Sequence, residues 1–152
     1  FVNKEKCEIV ITGRTKQFLS LVGEHLSQDN MNQAIENISN ELKVNINEFT
    51  VTGFREDKSF AHHWYLGCDD AIDKELAIKK IDEHLKVLND DYRVEREEAL
   101  KNLYIDVIPT HIFYDFMEKK GKIGGATKFP RVMKGERCKE WEQFVSSLNL
   151  NK

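Results

Sequence analysis

A chain of 152 residues fits one domain and is long enough to bury a core of its own. Its 23 Lys and Arg against 26 Asp and Glu leave a formal charge of -3, which excludes the broad basic footprint of a nucleic-acid or anionic-membrane binder. Cys7, Cys68 and Cys138 are odd in number with no close pair, and no apolar run approaches a membrane span, so a reducing cytoplasm is the expected setting.

The chain opens Phe1-Val2-Asn3 without an initiator methionine, which predicts a piece excised from a longer protein. Residues 7–11 read as a strand, Gly13-Arg14 as a break, and residues 17–22 as a second apolar segment ended by Gly23. A helix is predicted from Ser27-Gln28-Asp29, with Met31, Ala34, Ile35, Ile38 and Leu42 at helical spacing. Residues 48–56 and 60–68 are aromatic and β-branched runs separated by Asp57-Lys58-Ser59, the pattern of an antiparallel hairpin at the sheet's centre. Residues 73–88 form a second amphipathic helix whose core side is predicted to carry Leu76, Ile81, Leu85 and Leu88. Asn89-Asp90-Asp91 interrupts it, residues 92–100 look helical, and residues 103–108 give a strand stopped by Pro109. Thr110 is the predicted cap of a helix carrying Phe113, Phe116 and Met117, ending at Gly121. Residues 136–148 form a terminal helix on Trp141, Phe144, Val145 and Leu148. Helices over a small mixed, largely antiparallel sheet make the expected class α+β.

Gly121-Lys122-Ile123-Gly124-Gly125-Ala126-Thr127-Lys128-Phe129-Pro130-Arg131 combines three glycines, three cations and a proline. Glycines let the backbone approach a ligand, and Lys122, Lys128 and Arg131 supply charge, so the loop suits an anion. It also reads as a helix C-cap at Gly121 followed by a solvated turn. Arg93 and Arg96 lie one turn apart, which can serve a shared anion but reads better as a solvated salt-bridge face with Glu95 and Glu97. His25, His62, His63, His84 and His111 have no spaced ligand partners, so no metal site is expected. His62 and His63 should point to opposite faces of their strand.

Gly13-Arg14-Thr15-Lys16-Gln17-Phe18-Leu19-Ser20-Leu21-Val22-Gly23 resembles the hinge motif of the adenylate-forming superfamily, with Gly13, Arg14, Lys16 and Gly23 at the matching positions. Asp91-Tyr92-Arg93 with Arg96, the Phe113 helix and the 121–131 loop are similar to one branch of it, the Gretchen Hagen 3 auxin-responsive acyl-acid amido synthetases, bacterial members included. The resemblance covers the whole chain as a single C-terminal cap domain, residues 1–152, with its hinge around 13–16. Plant members carry Gln-Tyr-Lys-x-Pro-Arg, of which Lys128-Phe129-Pro130-Arg131 retains the Lys-x-Pro-Arg core.

The resemblance implies an ATP-dependent ligase that adenylates a carboxylic acid and transfers the acyl group to an amine such as an amino acid. Lys128 is the implied catalytic residue and Lys122 the runner-up, with Gly124, Gly125 and Arg131 completing an anion-binding loop and Gly13, Arg14 and Lys16 the hinge. ATP and Mg2+ would be held mostly by an N-terminal adenylation domain of the same protein. That domain's Ser/Thr/Gly-rich phosphate loop does not occur in these residues, so the chain alone is expected to be inactive. The alternative reading is a stand-alone regulatory module whose Lys/Gly loop holds a phosphate or other anion without catalysis.

Overall fold

The computed structural model describes residues 26–119 and 129–148; the strand-like segments expected at 7–11 and 17–22 lie outside them. The described elements run α1 (Gln28–Leu42), β1 (Ile46–Glu56), β2 (Ser59–Cys68), α2 (Lys74–Leu88), α3 (Asp90–Glu98), β3 (Leu100–Ile108), α4 (Thr110–Lys119), β4 (Val132–Met133) and α5 (Gly135–Ser147). α1 starts where a capping box forms. Ser27 Oγ accepts from the Asn30 amide at 3.1 Å while Asn30 Oδ1 accepts from the Ser27 amide at 3.2 Å, satisfying two donors that a helix start leaves without partners.

β1 and β2 pair antiparallel from Ile46↔Cys68 to Glu56↔Ser59. Asp57, at φ 55°, takes the left-handed conformation that lets the chain reverse there. The strand order is β3-β2-β1-β4, so the hairpin is central, as its composition predicts. β3 returns through α2 and α3 to lie parallel to β2, and β4 adds two parallel pairs to β1. The result is the expected α+β fold on a mixed sheet: its middle pair is antiparallel and both outer strands run parallel to their neighbours.

Phe49 to Thr52 are buried without interruption because helices cover both faces of the sheet. Phe49, Val51, Trp64 and Leu66 meet Met31, Ile35 and Ile38 of α1, Ile81 and Leu85 of α2 and Tyr92 of α3. Tyr65 and Met133 meet Ile112, Phe113 and Phe116 of α4 and Trp141 of α5. α4 sits so close that a Cβ added to Gly67 would lie 2.8 Å from the Phe113 ring and 3.3 Å from Glu48 Cβ, which makes glycine the only residue this contact admits.

Three local expectations are corrected. Leu76 is 37% exposed; the buried line of α2 runs through Ala77, Ile81 and Leu85 instead, one position round the helix. Thr110 lies within α4 and its hydroxyl accepts from Asn47 Nδ2 at 3.2 Å, while the Thr110 amide is satisfied by Asp69 Oδ1 at 3.0 Å. The Asx residue serving this helix start thus comes from the β2–α2 connection rather than from the preceding turn. Arg96 is not on a solvated face. Its Nε donates to Asp82 Oδ1 at 2.8 Å and its Nη1 to the Leu100 carbonyl at 2.6 Å, while Tyr92 donates its hydroxyl to the same Asp82 oxygen at 2.8 Å. Arg93 keeps to the surface beside Asp90.

Burial alone would raise the Asp82 pKa, but the bonds from Arg96 and Tyr92 and the charges of Arg96 and Lys86 outweigh it and hold the carboxyl below its ordinary value. A carboxyl depressed in the folded state stabilises above its unfolded pKa of about 3.9, and that stability is lost as pH falls through the folded value. Asp82→Asn is expected to lower stability by about 2 kcal/mol at neutral pH, with the difference from the unmutated protein closing towards pH 2. Urea denaturation across that range checks both the size and the direction.

Candidate functional site

At the edge of β1 the side chains of Glu48, Arg131 and Tyr114 converge from β1, from the segment entering β4, and from α4. Glu48 Oε1 accepts from Arg131 Nη1 at 2.8 Å, and Glu48 Oε2 accepts from the Tyr114 hydroxyl at 3.0 Å. Arg131 Nη1 also donates to the Phe49 carbonyl at 3.1 Å, and its guanidinium carbon lies 4.5 Å from the centroid of the Phe49 ring. A planar, delocalised cation is suited to a carboxylate at its edge and an aromatic ring on its face at the same time. Both charged side chains are mostly shielded, 16% exposed for Glu48 and 23% for Arg131, so the attraction is less screened than at an open surface. Burial first, and then the bond to Glu48, raise the Tyr114 pKa and keep its hydroxyl a donor.

Arg131 is also fixed through its backbone, because its carbonyl accepts from the Val51 amide at 2.9 Å. Two residues earlier, the buried Phe129 ring lies 4.8 Å from Phe113 and 5.1 Å from Trp141, both edge-on. Lys119, the last residue of α4, lies over the Phe144 ring at 5.4 Å. Beside Arg131, a cleft of about 320 Å³ opens between α1 and the start of β1, lined by Asn32, Glu36, Asn40, Asn45 and Phe49.

Of the residues expected from sequence, Gly13, Arg14, Lys16, Lys122, Gly124, Gly125 and Lys128 lie outside the described residues. Arg131 is described, and its guanidinium is engaged with β1. Sequence reasoning missed Glu48 and Tyr114, which stand 83 and 17 residues before Arg131 and meet it only through the sheet and α4. The one local sign was an acidic residue beside an aromatic at the head of a strand.

Other candidate chemistry is quiet. His62 is buried towards Tyr92, whereas His63 on the opposite face stacks on Tyr65 at 4.2 Å and meets Asp106 at 2.9 Å, as the strand alternation predicts. His84 and His111 each meet one carboxylate, Glu41 and Asp115. Among the described residues no three His, Cys, Asp or Glu side chains form a metal-binding group, and no helix is long and apolar enough to cross a membrane. Cys68 and Cys138 are free; burial, aided by Glu142, pushes the Cys138 thiol up to about 11, so it is not a thiolate nucleophile at neutral pH.

Residues 29–137 match the model of the GH3 family C-terminal domain, a match that spans the hairpin, α4, Arg131 and the whole segment between Lys119 and Phe129. The chain belongs to that family. A solved structure described as a GH3.15 acyl acid amido synthetase superposes with a TM-score of 0.71 at 18% identity, covering 91% of this chain and 27% of the other. A second, described as AtGH3.15 acyl acid amido synthetase in complex with 2,4-DB, gives 0.69 at 18% identity over 90% and 26%. At that identity the likeness shows the fold, and the chain spans about a quarter of either structure's length. No curated protein matches the sequence.

In this GH3 domain the two-residue β4 follows directly on Arg131, whose side chain and carbonyl both bond to β1. Glu48→Ala is expected to speed hydrogen exchange of the Val51 amide at least about tenfold, equivalent to roughly 1.4 kcal/mol of local opening, while β1 amides bonded to β2 keep their protection. Residue-resolved exchange by NMR distinguishes this local release from a general loss of stability.

Proposed function

We propose that this domain is the C-terminal cap of an ATP-dependent ligase that adenylates a carboxylic acid and transfers the acyl group to an amine such as an amino acid. The observation that carries this reading is the family match, whose span, residues 29–137, includes the lysine-bearing segment between α4 and Phe129. The fold shared with an acyl acid amido synthetase supports it.

In the first half-reaction a carboxylate oxygen attacks the α-phosphorus of ATP, the bond to the bridging oxygen breaks, and pyrophosphate leaves. Anions must be brought together, so a cation at the point of attack lowers the barrier. Lys128 is the candidate; an ammonium placed where charge develops is worth on the order of 3 kcal/mol. Lys122 is the second candidate, and Gly124 and Gly125 would let the backbone come close to a phosphate. In the second half-reaction the amine attacks the acyl carbon and AMP leaves. The amine needs an entrance, and a hinge at Gly13, Arg14 and Lys16 would supply it by moving the cap between the two steps.

The partner is an N-terminal adenylation domain of the same protein, which would carry the acyl pocket and most contacts to ATP. Mg2+ would neutralise the triphosphate when bound. Its ligands would lie mainly on that partner domain. With Cys68 and Cys138 as free thiols, the proposed setting is a reducing cytoplasm.

Lys128→Ala in the full-length protein is expected to reduce carboxylate-dependent ATP/pyrophosphate exchange by about a hundredfold or more. Near-normal exchange in that variant would remove Lys128 from the mechanism and leave Lys122 to be tested in the same assay.

A further inference from the structure

We propose that the groove at the open end of the sheet, bounded by Phe54, Tyr104 and the Glu56 and Asp106 carboxylates, is a docking site for an arginine side chain presented by a protein partner. The inference does not rest on the ligase reading above and concerns a face of the sheet that reading leaves unused.

Strand pairing puts the groove residues on one face. Tyr65↔Asp106, His63↔Tyr104 and Ala61↔Phe54 are paired, and alternate residues of a strand point the same way. α4 and α5 cover this face at Tyr65, where Trp141 packs edge-on at 5.6 Å. Further along the face is open: Tyr104 is 39% exposed, and Phe54, Glu56, His63 and Asp106 are each partly exposed. With Ile105 they line a groove of about 490 Å³. Its aromatic side is continuous, for the Phe54 and Tyr104 rings stack across β2 with centroids 6.0 Å apart, and His63 lies 6.2 Å from Tyr104.

The two carboxylates are oriented by their neighbours. Glu56 Oε2 accepts from the Tyr104 hydroxyl and Oε1 from Asn102 Nδ2, both at 2.6 Å. Those bonds, that from Tyr104 first, hold the carboxyl below its ordinary value, so it is ionised at neutral pH. Asp106 Oδ2 meets His63 Nε2 at 2.9 Å. Among the described residues no Lys or Arg pairs with either carboxylate.

The same chain shows what such a constellation holds. Near its other end β1 carries Glu48, which accepts from the Tyr114 hydroxyl and from Arg131, whose guanidinium lies 4.5 Å from the Phe49 ring centroid. On α2, Asp82 accepts from the Tyr92 hydroxyl and from Arg96. Carboxylate, tyrosine hydroxyl and guanidinium occur together in both. Glu56 has the tyrosine hydroxyl and a neighbouring ring, with an open groove where the guanidinium would lie. A guanidinium can set its plane on a ring and its edge on a carboxylate, whereas an ammonium is compact and more strongly hydrated. A phosphate or an acidic segment would be repelled by the two carboxylates.

The test is an NMR titration of the isotope-labelled 152-residue chain with a capped Gly-Arg-Gly peptide, with the lysine and citrulline counterparts as controls. The arginine peptide is expected to move the amide signals of residues 61–63 and 102–106 saturably, with a Kd on the order of 1 mM. The lysine peptide should bind several-fold more weakly and the uncharged citrulline peptide at least about tenfold more weakly. Glu56→Gln, which keeps the size but loses the charge, is expected to weaken the arginine peptide about tenfold, and Asp106→Asn several-fold. No saturable shift overturns the proposal, as does equal binding of either control or undiminished binding by Glu56→Gln. In the free protein, contacts from an arginine of the same chain to the Tyr104 ring mark the groove as already filled, and shifts of these residues with protein concentration mark a second copy as the occupant; either overturns a separate partner. Should Glu56→Gln not fold, Asp106→Asn and Tyr104→Phe, which removes the bond orienting Glu56, decide by the same comparison.

Discussion

Burial of the β1–β2 pair on both faces dictates where the other elements go. Alternate side chains of each strand must be covered from opposite sides, so Phe49, Val51, Trp64 and Leu66 draw in α1, α2 and α3 while Tyr65 draws in α4 and α5. Once both faces are used, only the edges remain open. The β2 edge receives β3 through the α2–α3 crossover, and the β1 edge receives β4. Because β4 is two residues long, that second edge depends on Arg131, its carbonyl bond to Val51 and its side-chain contacts with Glu48 and Phe49.

That arrangement links the core to the proposed chemistry. The lysine-bearing segment is suspended between α4, seated on Gly67 through Phe113, and an outgoing root held by Phe129 in the aromatic cluster and by Arg131 on β1. A cap that must present a cation in one step and move aside in the next needs a stiff frame around a short reactive segment. Within that frame Arg131 is tied to Glu48 and to the Phe49 carbonyl and ring. Elsewhere the Asp82, Arg96 and Tyr92 contacts brace α3 against α2 and the start of β3, so the far side of the sheet is held by a second shielded carboxylate.

Most of the fold was legible because most of it rests on local rules. The α1 capping box, the hairpin around Asp57, the Asn89 cap dividing α2 from α3 and the strand ended by Pro109 all lie within a few residues of the signals that announce them. The alternation of His62 and His63 was legible for the same reason. What escaped depends on distant partners. Asp82 stands 14 residues from Arg96, Asp69 is 41 residues from Thr110, and no periodicity in two residues between Pro130 and Gly135 could announce β4. Leu76 was misplaced because a helical stripe read from leucines alone overlooks Ala77, which is fully buried. The site divides in the same way: the composition of the lysine loop is visible in the sequence, but Glu48 becomes a candidate only when the sheet brings it to Arg131.

The central claim is that this GH3 domain caps an enzyme that activates carboxylic acids as adenylates. The most direct measurement is the product pattern when the full-length protein is given ATP, Mg2+, a panel of carboxylic acids and the common amino acids. The account predicts AMP and pyrophosphate, released only with an acid present, and an amide once an amino acid is added. Release of ADP and orthophosphate, or ATP cleavage indifferent to the acid, would contradict it.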